Sequence, residues 1–269
     1  MGIPIAICKA ILIAWLGVGM TWSLWQAPPA RKPLYSHPPS PAGQAQLAAD
    51  PAPVVYLTFD DGPHPVYTPQ VLDLLARYDA KATFFVVGQM VANFPDVTRR
   101  IAAEGHSIQL HTWRHDDLTK LSRQEFIEDS NRAQAILGET VGLRATCLRP
   151  PYGSINPRVR EWATDLRLGV SMWDISGADW TDISAETIAR IVTGRVQPGS
   201  VVLLHDGGGH RHRTVSALGT ILADLTEAGY RFGSMCRILN LPEPNPTCWE
   251  FYAWPVPRPC PEPSQADGL

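Results

Sequence analysis

A short apolar run in this chain ends abruptly in two adjacent carboxylates. Residues Val54 to Pro63 read Val-Val-Tyr-Leu-Thr-Phe-Asp-Asp-Gly-Pro, so a run typical of a buried strand leads directly into a turn. Asp60 and Asp61 can share one site only at a strand end, where Gly62 allows an unusual backbone angle. Like charges this close need a cation or a proton between them. The pair indicates a metal ligand beside a base, with a solvated acidic turn as the alternative.

The composition argues against a strongly charged partner. The chain has 269 residues, of which 45% are hydrophobic and 18% are charged, and its formal net charge is −3. That length is ample for one domain with a large core. Because the charge balance is near neutral, it gives no electrostatic footprint for nucleic acid. We expect a monomer with no nucleic-acid partner.

The two ends of the chain differ in composition from its middle. Residues 1–26 are almost uniformly apolar and predict an N-terminal hydrophobic helix, and we favour an uncleaved membrane anchor over a cleaved signal peptide. Residues 27–53 predict a Pro/Ala-rich linker, and residues 241–269 form a Pro-rich tail. We therefore expect a domain at residues 54–240 that acts outside the cytoplasm, in the cell envelope, the periplasm or the secreted fraction.

Strand-like and helical patterns alternate through this domain. The strand-like runs are Val54–Asp60, Ala82–Val87, His106–Thr112, Thr146–Arg149, Leu168–Ile175, Ser200–His205 and Tyr230–Met235. The predicted helix starts are a Ser122–Glu125 capping box and cap candidates at Thr68, Asn156, Ser184 and Thr214. Such alternation predicts an α/β fold with a parallel sheet. We expect a distorted (β/α)7 barrel, similar to a TIM barrel, with an open doubly wound sheet as the second choice.

Polar residues collect where the predicted strands end. In β/α barrels the carboxyl ends of the strands form the rim on which active sites are built, so we expect these side chains to converge. They are Asp60 and Asp61, His111 and His115, Arg149, Asp174 with Asp179 and Trp180 just beyond it, and His205. A solvated turn does not explain so many strand ends with polar residues on one rim, and an active site is therefore favoured.

Two histidines four residues apart and one carboxylate suit a divalent metal with open coordination positions. Neutral His111 and His115 would supply nitrogen donors, and an ionised Asp61 would supply oxygen. We expect Zn²⁺ first, and the same ligands would accept Co²⁺, Fe²⁺ or Ni²⁺. His210 and His212 follow three glycines and are expected to be exposed loop residues rather than a second metal site.

Five motifs in order resemble those of a known family. They are Thr58-Phe-Asp-Asp-Gly62, His111-Thr-Trp-Arg-His115, Arg149-Pro-Pro-Tyr-Gly153, Asp179-Trp180 and Leu203-Leu-His205. From about Val54 to Leu239 the chain resembles the polysaccharide deacetylases, which are the NodB-homology domains of carbohydrate esterase family 4. The resemblance implies a distorted (β/α)7 barrel that removes acetyl groups from N-acetylated, and sometimes O-acetylated, polysaccharides.

The same resemblance implies a role for each matched residue. The implied roles are metal binding for Asp61, His111 and His115; general base for Asp60, with Arg149 as its ion-pair partner; oxyanion stabilisation for the backbone N–H of Tyr152; substrate contact for Trp180, Leu203 and Asp179; and general acid for His205. One position departs from the family pattern. The fourth motif usually carries an acid three residues before Asp179, and this chain has Ser176 there. The partner of His205 is therefore left open between Asp174 and Asp179.

We expect a metal-dependent deacetylase that acts on GlcNAc-containing polysaccharide. Peptidoglycan is the first expected substrate, chitooligosaccharide or chitin the second, and xylan the third. One alternative is a barrel that binds polysaccharide without catalysis, and another is a metal-dependent hydrolase of peptide or phosphoester bonds. A phosphoesterase would need more metal ligands and more cationic groups on the rim than Arg149.

The cysteines predict one disulfide near the C-terminus. Cys248 and Cys260 bracket a short segment rich in Trp and Pro, and in an oxidising compartment this spacing predicts that they pair. Cys147 and Cys236 fall on separate predicted strands, and we expect them to be buried residues without a disulfide.

Overall fold

The computed structural model describes residues 52–236 and 238–240. The expected hydrophobic helix at 1–26, nearly all of the linker, the tail and the Cys248–Cys260 pair lie outside these residues. Within the described part of the chain, no helix combines the length and the apolar character that crossing a bilayer needs.

The described residues form ten strands and seven α-helices. The strands are β1 Val54–Asp60, β2 Thr83–Val86, β3 Ser107–Leu110, β4 Leu143–Ala145, β5 Cys147–Leu148, β6 Gly169–Val170, β7 Ile175–Ser176, β8 Val201–His205, β9 Arg231–Phe232 and β10 Ile238–Asn240. The helices are α1 Tyr67–Arg77, α2 Gly88–Asn93, α3 Pro95–Ala103, α4 Arg123–Val141, α5 Pro157–Asp165, α6 Ala185–Thr193 and α7 His212–Glu227. Two short 3-10 helices lie at Leu118–Lys120 and Pro151–Gly153.

The main sheet is parallel and curls into a half-barrel. Its order is β6-β5-β3-β2-β1-β8-β7, and β9 also pairs with β1. The two ends of this order, β6 and β7, follow one another in the chain, so the barrel is open between them. A separate antiparallel pair joins β10 to β4. The expected distorted barrel is confirmed in this open form.

Alternation along β1 separates the core from the site. Leu57 and Phe59 are fully buried and belong to the hydrophobic core, where the Phe59 ring stacks on Phe84 with 5.2 Å between centroids. Burial of each such side chain contributes about 1.5–3 kcal/mol. Thr58 and Asp60 alternate with them and therefore face the barrel interior. The same strand thus anchors the fold and presents the first site residues.

The predicted run Leu168–Ile175 is not one strand. It divides into β6 and β7 because the carbonyl groups of Ser171 and Met172 accept hydrogen bonds from the Arg149 guanidinium, over 3.4 and 3.0 Å. Asp174 then lies at the amino end of β7, where its carboxylate accepts from the Val201 N–H over 2.9 Å. The prediction that Asp174 ends a strand on the site rim is wrong.

Most predicted helix starts are confirmed. Ser122 and Glu125 form the expected reciprocal capping box at α4, and Asn156 and Ser184 cap α5 and α6 through their side chains. The other cap candidates, Thr68 and Thr214, lie inside α1 and α7 instead. Their hydroxyl groups donate to Asp206 and Asp179.

Cys147 and Cys236 form a disulfide, so the expectation of two unpaired cysteines is wrong. They are 89 residues apart in sequence, and their Cα atoms are 6.1 Å apart. The pairing arises because residues 233–236, here named the basal segment, cross under the amino ends of the strands. The contacts that show this course are Gly233 N–H to the Val55 carbonyl, 3.0 Å; Met235 N–H to Thr83 Oγ1, 2.9 Å; and Ser107 Oγ to the Cys236 carbonyl, 3.4 Å.

Candidate functional site

The carboxyl ends of the central strands bring the predicted site residues together. Asp60 ends β1 and lies in register with His205 at the end of β8. His111 directly follows β3, and Arg149 directly follows β5, whose Leu148 pairs with Leu110. Because parallel strands end at one edge, these four side chains meet on one rim.

The turn after β1 places Asp61 beside Asp60. Asp61 itself takes the left-handed conformation with φ of 71°, so the expectation of an unusual backbone angle at Gly62 is wrong. Gly62 is required for another reason, since a Cβ atom there would lie 2.4 Å from the Asp206 carboxylate. The turn therefore combines a strained backbone at Asp61 with a close approach of the Gly62 backbone to Asp206.

Asp61, His111 and His115 form a cluster whose ligand atoms all lie within 4.8 Å of one another. Asp61 Oδ1 lies 3.3 Å from Nε2 of His111 and 3.1 Å from Nε2 of His115. The structure thus brings together the three residues that the sequence predicts as metal ligands.

The cluster fits a divalent cation. The Nδ1–H of His111 donates to the Arg149 carbonyl over 2.7 Å, which leaves the Nε2 lone pair free next to Asp61. Asp61 Oδ1 is buried and has no hydrogen-bond partner among the described residues. Lone pairs on nitrogen and oxygen that face each other repel unless a positive charge lies between them. The donor set and its orphaned oxygen therefore fit a divalent metal ion.

The pKa of Asp61 lies well below its ordinary value. Burial alone would raise that pKa, but the contacts with His111 and His115 outweigh burial. The carboxylate is therefore ionised, which is the form that binds a metal.

Asp60 is held by a buried arginine. Nη1 of Arg149 donates to Asp60 Oδ1 over 2.8 Å and lies 2.6 Å from the Thr58 hydroxyl. The guanidinium is fully buried and lies 4.0 Å from the centroid of the Phe85 ring. Burial lowers the pKa of Arg149, although the charge of Asp60 opposes this shift. Arg149 thus places a buried positive charge directly beside Asp60, and the Thr58 hydroxyl, which the sequence did not predict as a site contact, helps to hold it there.

Asp179 is the partner of His205, which decides between the two acids left open by the sequence. The His205 Nδ1–H donates to Asp179 Oδ1 over 2.8 Å. Asp179 Oδ2 accepts from the His205 backbone N–H and from the Thr214 hydroxyl, each over 2.8 Å. All of the carboxylate is buried, so it cannot contact a bound sugar.

The pKa of His205 is raised from its ordinary value. Burial alone would lower that pKa, but the hydrogen bond and the charge of Asp179, together with the charges of Asp60 and Asp61, raise it. A histidine with a raised pKa keeps its proton to higher pH, which suits the role of a general acid.

Known proteins are similar to this chain in sequence and in fold. The family model described as polysaccharide deacetylase matches residues 48–171. A chitooligosaccharide deacetylase of Sinorhizobium fredii is 36% identical over 197 residues, which cover 68% of this chain and 91% of that protein. This chain belongs to the polysaccharide deacetylase family.

Two further polysaccharide deacetylases, one known by sequence and one by its crystal structure, are also similar to this chain. A peptidoglycan-N-acetylglucosamine deacetylase of Bacillus cereus is 40% identical over 179 residues, which are 66% of this chain. The chain spans 65% of that relative's length. A crystal structure of a peptidoglycan N-acetylglucosamine deacetylase superimposes with a TM-score of 0.65 at 39% identity, and covers 67% of this chain and 85% of that one.

The family model ends at residue 171, before Asp179 and His205. Asp179 and His205 meet because β8 and the loop after β7 lie side by side, with the Gly177 N–H bonded to the Leu203 carbonyl over 3.0 Å.

Two exposed aromatic rings flank the site of this family member. The Tyr152 side chain is 73% exposed and its ring contacts His115 with 4.6 Å between centroids. The Trp180 side chain is 52% exposed and its ring meets His205 at 5.4 Å. Leu203 is buried within β8. Exposed rings on either side of polar groups suit a ligand with apolar faces and hydroxyl edges.

Asp206 lies under the turn that carries Asp61. Its carboxylate is fully buried, accepts from the Thr68 hydroxyl, and keeps Oδ1 without a hydrogen-bond partner in the described part of the chain. Burial raises the pKa of Asp206 to about 7. Asp206 thus packs against the turn, and the exposed His210 lies further along the same loop, with the exposed His212 at the start of α7.

Proposed function

We propose that this chain is a metal-dependent hydrolase that removes acetyl from the N-acetyl groups of a GlcNAc-containing polysaccharide. The observation that carries this proposal is the placement of an Asp–Arg pair and a His–Asp pair beside one metal-type cluster. Asp60 is ion-paired with the buried Arg149, and His205 is bonded to Asp179, which raises the pKa of the histidine. A carboxylate beside a cation and a histidine beside an anion are a suitable base and acid for hydrolysis.

The metal would be held by Asp61, His111 and His115, with Zn²⁺ as the first expectation. A divalent cation there would polarise the acetyl carbonyl and make a nearby water more acidic. The ligand oxygens and nitrogens of this cluster would equally accept Co²⁺, Fe²⁺ or Ni²⁺.

Asp60 would act as the base. Its Oδ1 is occupied by Arg149, and Oδ2 lies 3.8 Å from Nε2 of His111, on the side of the metal cluster. An ionised carboxylate in that position takes a proton from water as the water oxygen attacks the acetyl carbon. Removal of such a base typically costs 10²–10⁴-fold in rate.

His205 would act as the acid. Because Nδ1 is bonded to Asp179, Nε2 is the nitrogen that can give a proton to the sugar amine. An amide nitrogen leaves poorly unless it is protonated, so this step allows the carbon–nitrogen bond to break. The products are acetate and a free amino sugar, and the Tyr152 N–H would stabilise the negative oxygen formed in between.

Three residues would shape the substrate side of the site. Trp180 and Leu203 would line the slot for the acetyl methyl group, as the resemblance implies. For Asp179 we propose orientation of His205 in place of the substrate contact, since its buried carboxylate has all its bonds to protein groups.

Peptidoglycan is the proposed substrate, and chitooligosaccharide is the second candidate. The first is supported by the Bacillus cereus relative and the solved structure, both named for peptidoglycan. The second is supported by the Sinorhizobium fredii relative, which this chain spans almost fully. Action on peptidoglycan would place the domain outside the cytoplasm, and we propose a monomer anchored through residues 1–26.

Acetate release tests this function directly. The purified full chain would be given a GlcNAc oligosaccharide and purified peptidoglycan, with and without a chelator, and acetate and free amine would be measured. We expect release that the chelator abolishes and added Zn²⁺ restores. Binding of polysaccharide without acetate release would favour the non-catalytic barrel. Cleavage of a peptide or phosphoester instead would overturn the proposal.

A further inference from the structure

A carboxylate on α4 holds the loop that carries both histidine ligands. Oδ1 of Asp129 accepts the backbone N–H of Trp113 over 2.9 Å, midway between His111 and His115 in sequence. The next backbone N–H, of Arg114, also interacts favourably with this carboxylate. Neither the family resemblance nor the proposed mechanism gives Asp129 a role.

The loop needs such external support because its backbone is strained. Thr112 and His115 both take left-handed conformations, with φ of 67° and 65°. Conformations of this kind persist in non-glycine residues only where the surroundings fix them. The spacing between the two imidazoles therefore depends on what holds the residues between them.

Hydrogen bonds from three directions provide that support. From α2, the N–H groups of Gly88 and Gln89 donate to the carbonyls of Thr112 and Trp113, over 2.9 and 3.0 Å. Within the loop, the His115 N–H donates to Thr112 Oγ1 over 2.8 Å. From α4, Asp129 supplies a charged acceptor, which makes the stronger kind of hydrogen bond.

The packing around Trp113 shows that this bond is shielded from water. The indole is largely buried, and a Cβ atom on Gly88 would lie 2.5 Å from it. Burial raises the pKa of Asp129 to about 6, and the charge of Asp116 adds to the effect while Arg114 opposes it. A desolvated carboxylate with backbone donors gives a hydrogen bond that is costly to lose.

We propose that Asp129 is a positioning residue for the metal site, which fixes the loop so that His111 and His115 reach Asp61 together. The two imidazole rings then stand 4.9 Å apart, with both Nε2 atoms near one oxygen. Loss of Asp129 frees the Trp113 N–H and lets the loop relax, so the ligands are no longer held in place before a metal binds. This inference rests on the proposed metal site but concerns affinity rather than turnover.

Metal affinity measured without substrate is the test. The full chain and its Asp129→Ala, Asp129→Asn and Glu128→Gln variants would compete for Zn²⁺ with a chromophoric chelator, and the melting temperature of each metal-free protein would be recorded. Glu128 is the matched control, because it is the exposed neighbour of Asp129 on α4 and its carboxylate accepts a hydrogen bond from Gln124, away from the loop. Substitution of groups that support metal ligands typically costs 10–100-fold in affinity.

We expect Asp129→Ala to weaken Zn²⁺ binding about 10-fold. Asp129→Asn should fall between it and the parent, since an amide oxygen still accepts one N–H. Glu128→Gln should match the parent. An unchanged affinity in both Asp129 variants, whatever their melting temperatures, overturns the proposal. If Asp129→Ala fails to fold, Asp129→Asn alone decides in the same way. Tight metal binding by a parent without deacetylase activity would refute the proposed function and leave this inference standing.

Discussion

At the scale of single residues, Asp179 illustrates how a buried carboxylate can serve catalysis without contact with substrate. Both of its oxygens are used by protein donors, two of them from His205 and one from Thr214. The carboxylate thus fixes the ring orientation of His205 and raises its pKa at the same time. The two effects can be separated by Asp179→Asn. The amide has the same shape, so it keeps part of the orientation of the His205 ring, but it removes the charge that raises the pKa of His205.

Asp179→Asn is predicted to move the alkaline limit of activity to lower pH. The pKa of His205 is raised in the folded protein, so the protonated acid is lost only as pH rises through that raised value. Without the negative charge of Asp179, this loss begins at lower pH, and we expect kcat near neutral pH to fall about 10-fold. The measurement is kcat against pH on a GlcNAc oligosaccharide. Asp174→Asn, at the opposite edge of the sheet, is the control, and an unmoved alkaline limb in Asp179→Asn would contradict the prediction.

Substitutions of Asp60 and His111 are predicted to have different effects on catalysis and on metal binding. Asp60→Asn should keep the metal and lose 10²–10⁴-fold in turnover, because an amide cannot take a proton. His111→Ala should lose both, because it removes a ligand nitrogen. Metal content by elemental analysis and acetate release would be measured on both proteins. Full metal occupancy in His111→Ala would show that the ligand assignment is wrong.

At the scale of elements, local patterns predicted the strand ends and missed whatever depended on distant partners. The site rim was predictable because each apolar run and its polar last residue are adjacent in sequence. The division of 168–175 into β6 and β7 was not, since it depends on Arg149, far away in sequence. Thr214 was misread as a cap because its acceptor, Asp179, is 35 residues away. The metal cluster itself was predicted, and its support by Asp129 was not.

The disulfide of the basal segment also depends on a partner far away in sequence. It leads to a prediction about the free energy of unfolding. Cys147 and Cys236 close a loop with a sequence separation of 89, for which the chain-entropy model gives a stabilisation of about 4.6 kcal/mol. Cys147→Ser with Cys236→Ser should therefore lower the free energy of unfolding by about that amount. Metal binding at low temperature should remain, because the ligands lie at the opposite ends of the strands.

Chemical denaturation of the parent, the double variant and the reduced parent would measure this effect. The reduced parent should match the double variant, which controls for the serine substitutions. A double variant as stable as the oxidised parent would contradict the prediction, and so would free thiols at both positions in protein isolated from an oxidising compartment.

At the scale of the whole molecule, the structure separates what holds the fold from what meets the substrate. The disulfide lies at the amino ends of the strands, and the metal cluster with the exposed rings of Tyr152 and Trp180 lies at their carboxyl ends. Changes on the rim can therefore alter the chemistry while the fold remains. This separation allows one catalytic substitution to be used as a test of substrate in living cells.

The predicted substrate is peptidoglycan, and Asp60→Asn is the variant that tests it. Asp60 is buried against Arg149 at the site, and its amide analogue has the same shape, so we expect a folded protein that still holds metal and polymer but does not turn over. Cells that rely on this chain should then show more N-acetylated GlcNAc in their walls than cells with the parent, as measured by mass spectrometry of digested wall. Hydrolysis of purified chitooligosaccharide by the parent, together with identical wall acetylation in the two strains, would favour the second candidate. Higher acetylation in the Asp60→Asn strain alone would identify the wall as the substrate, because the two strains differ by one proton acceptor.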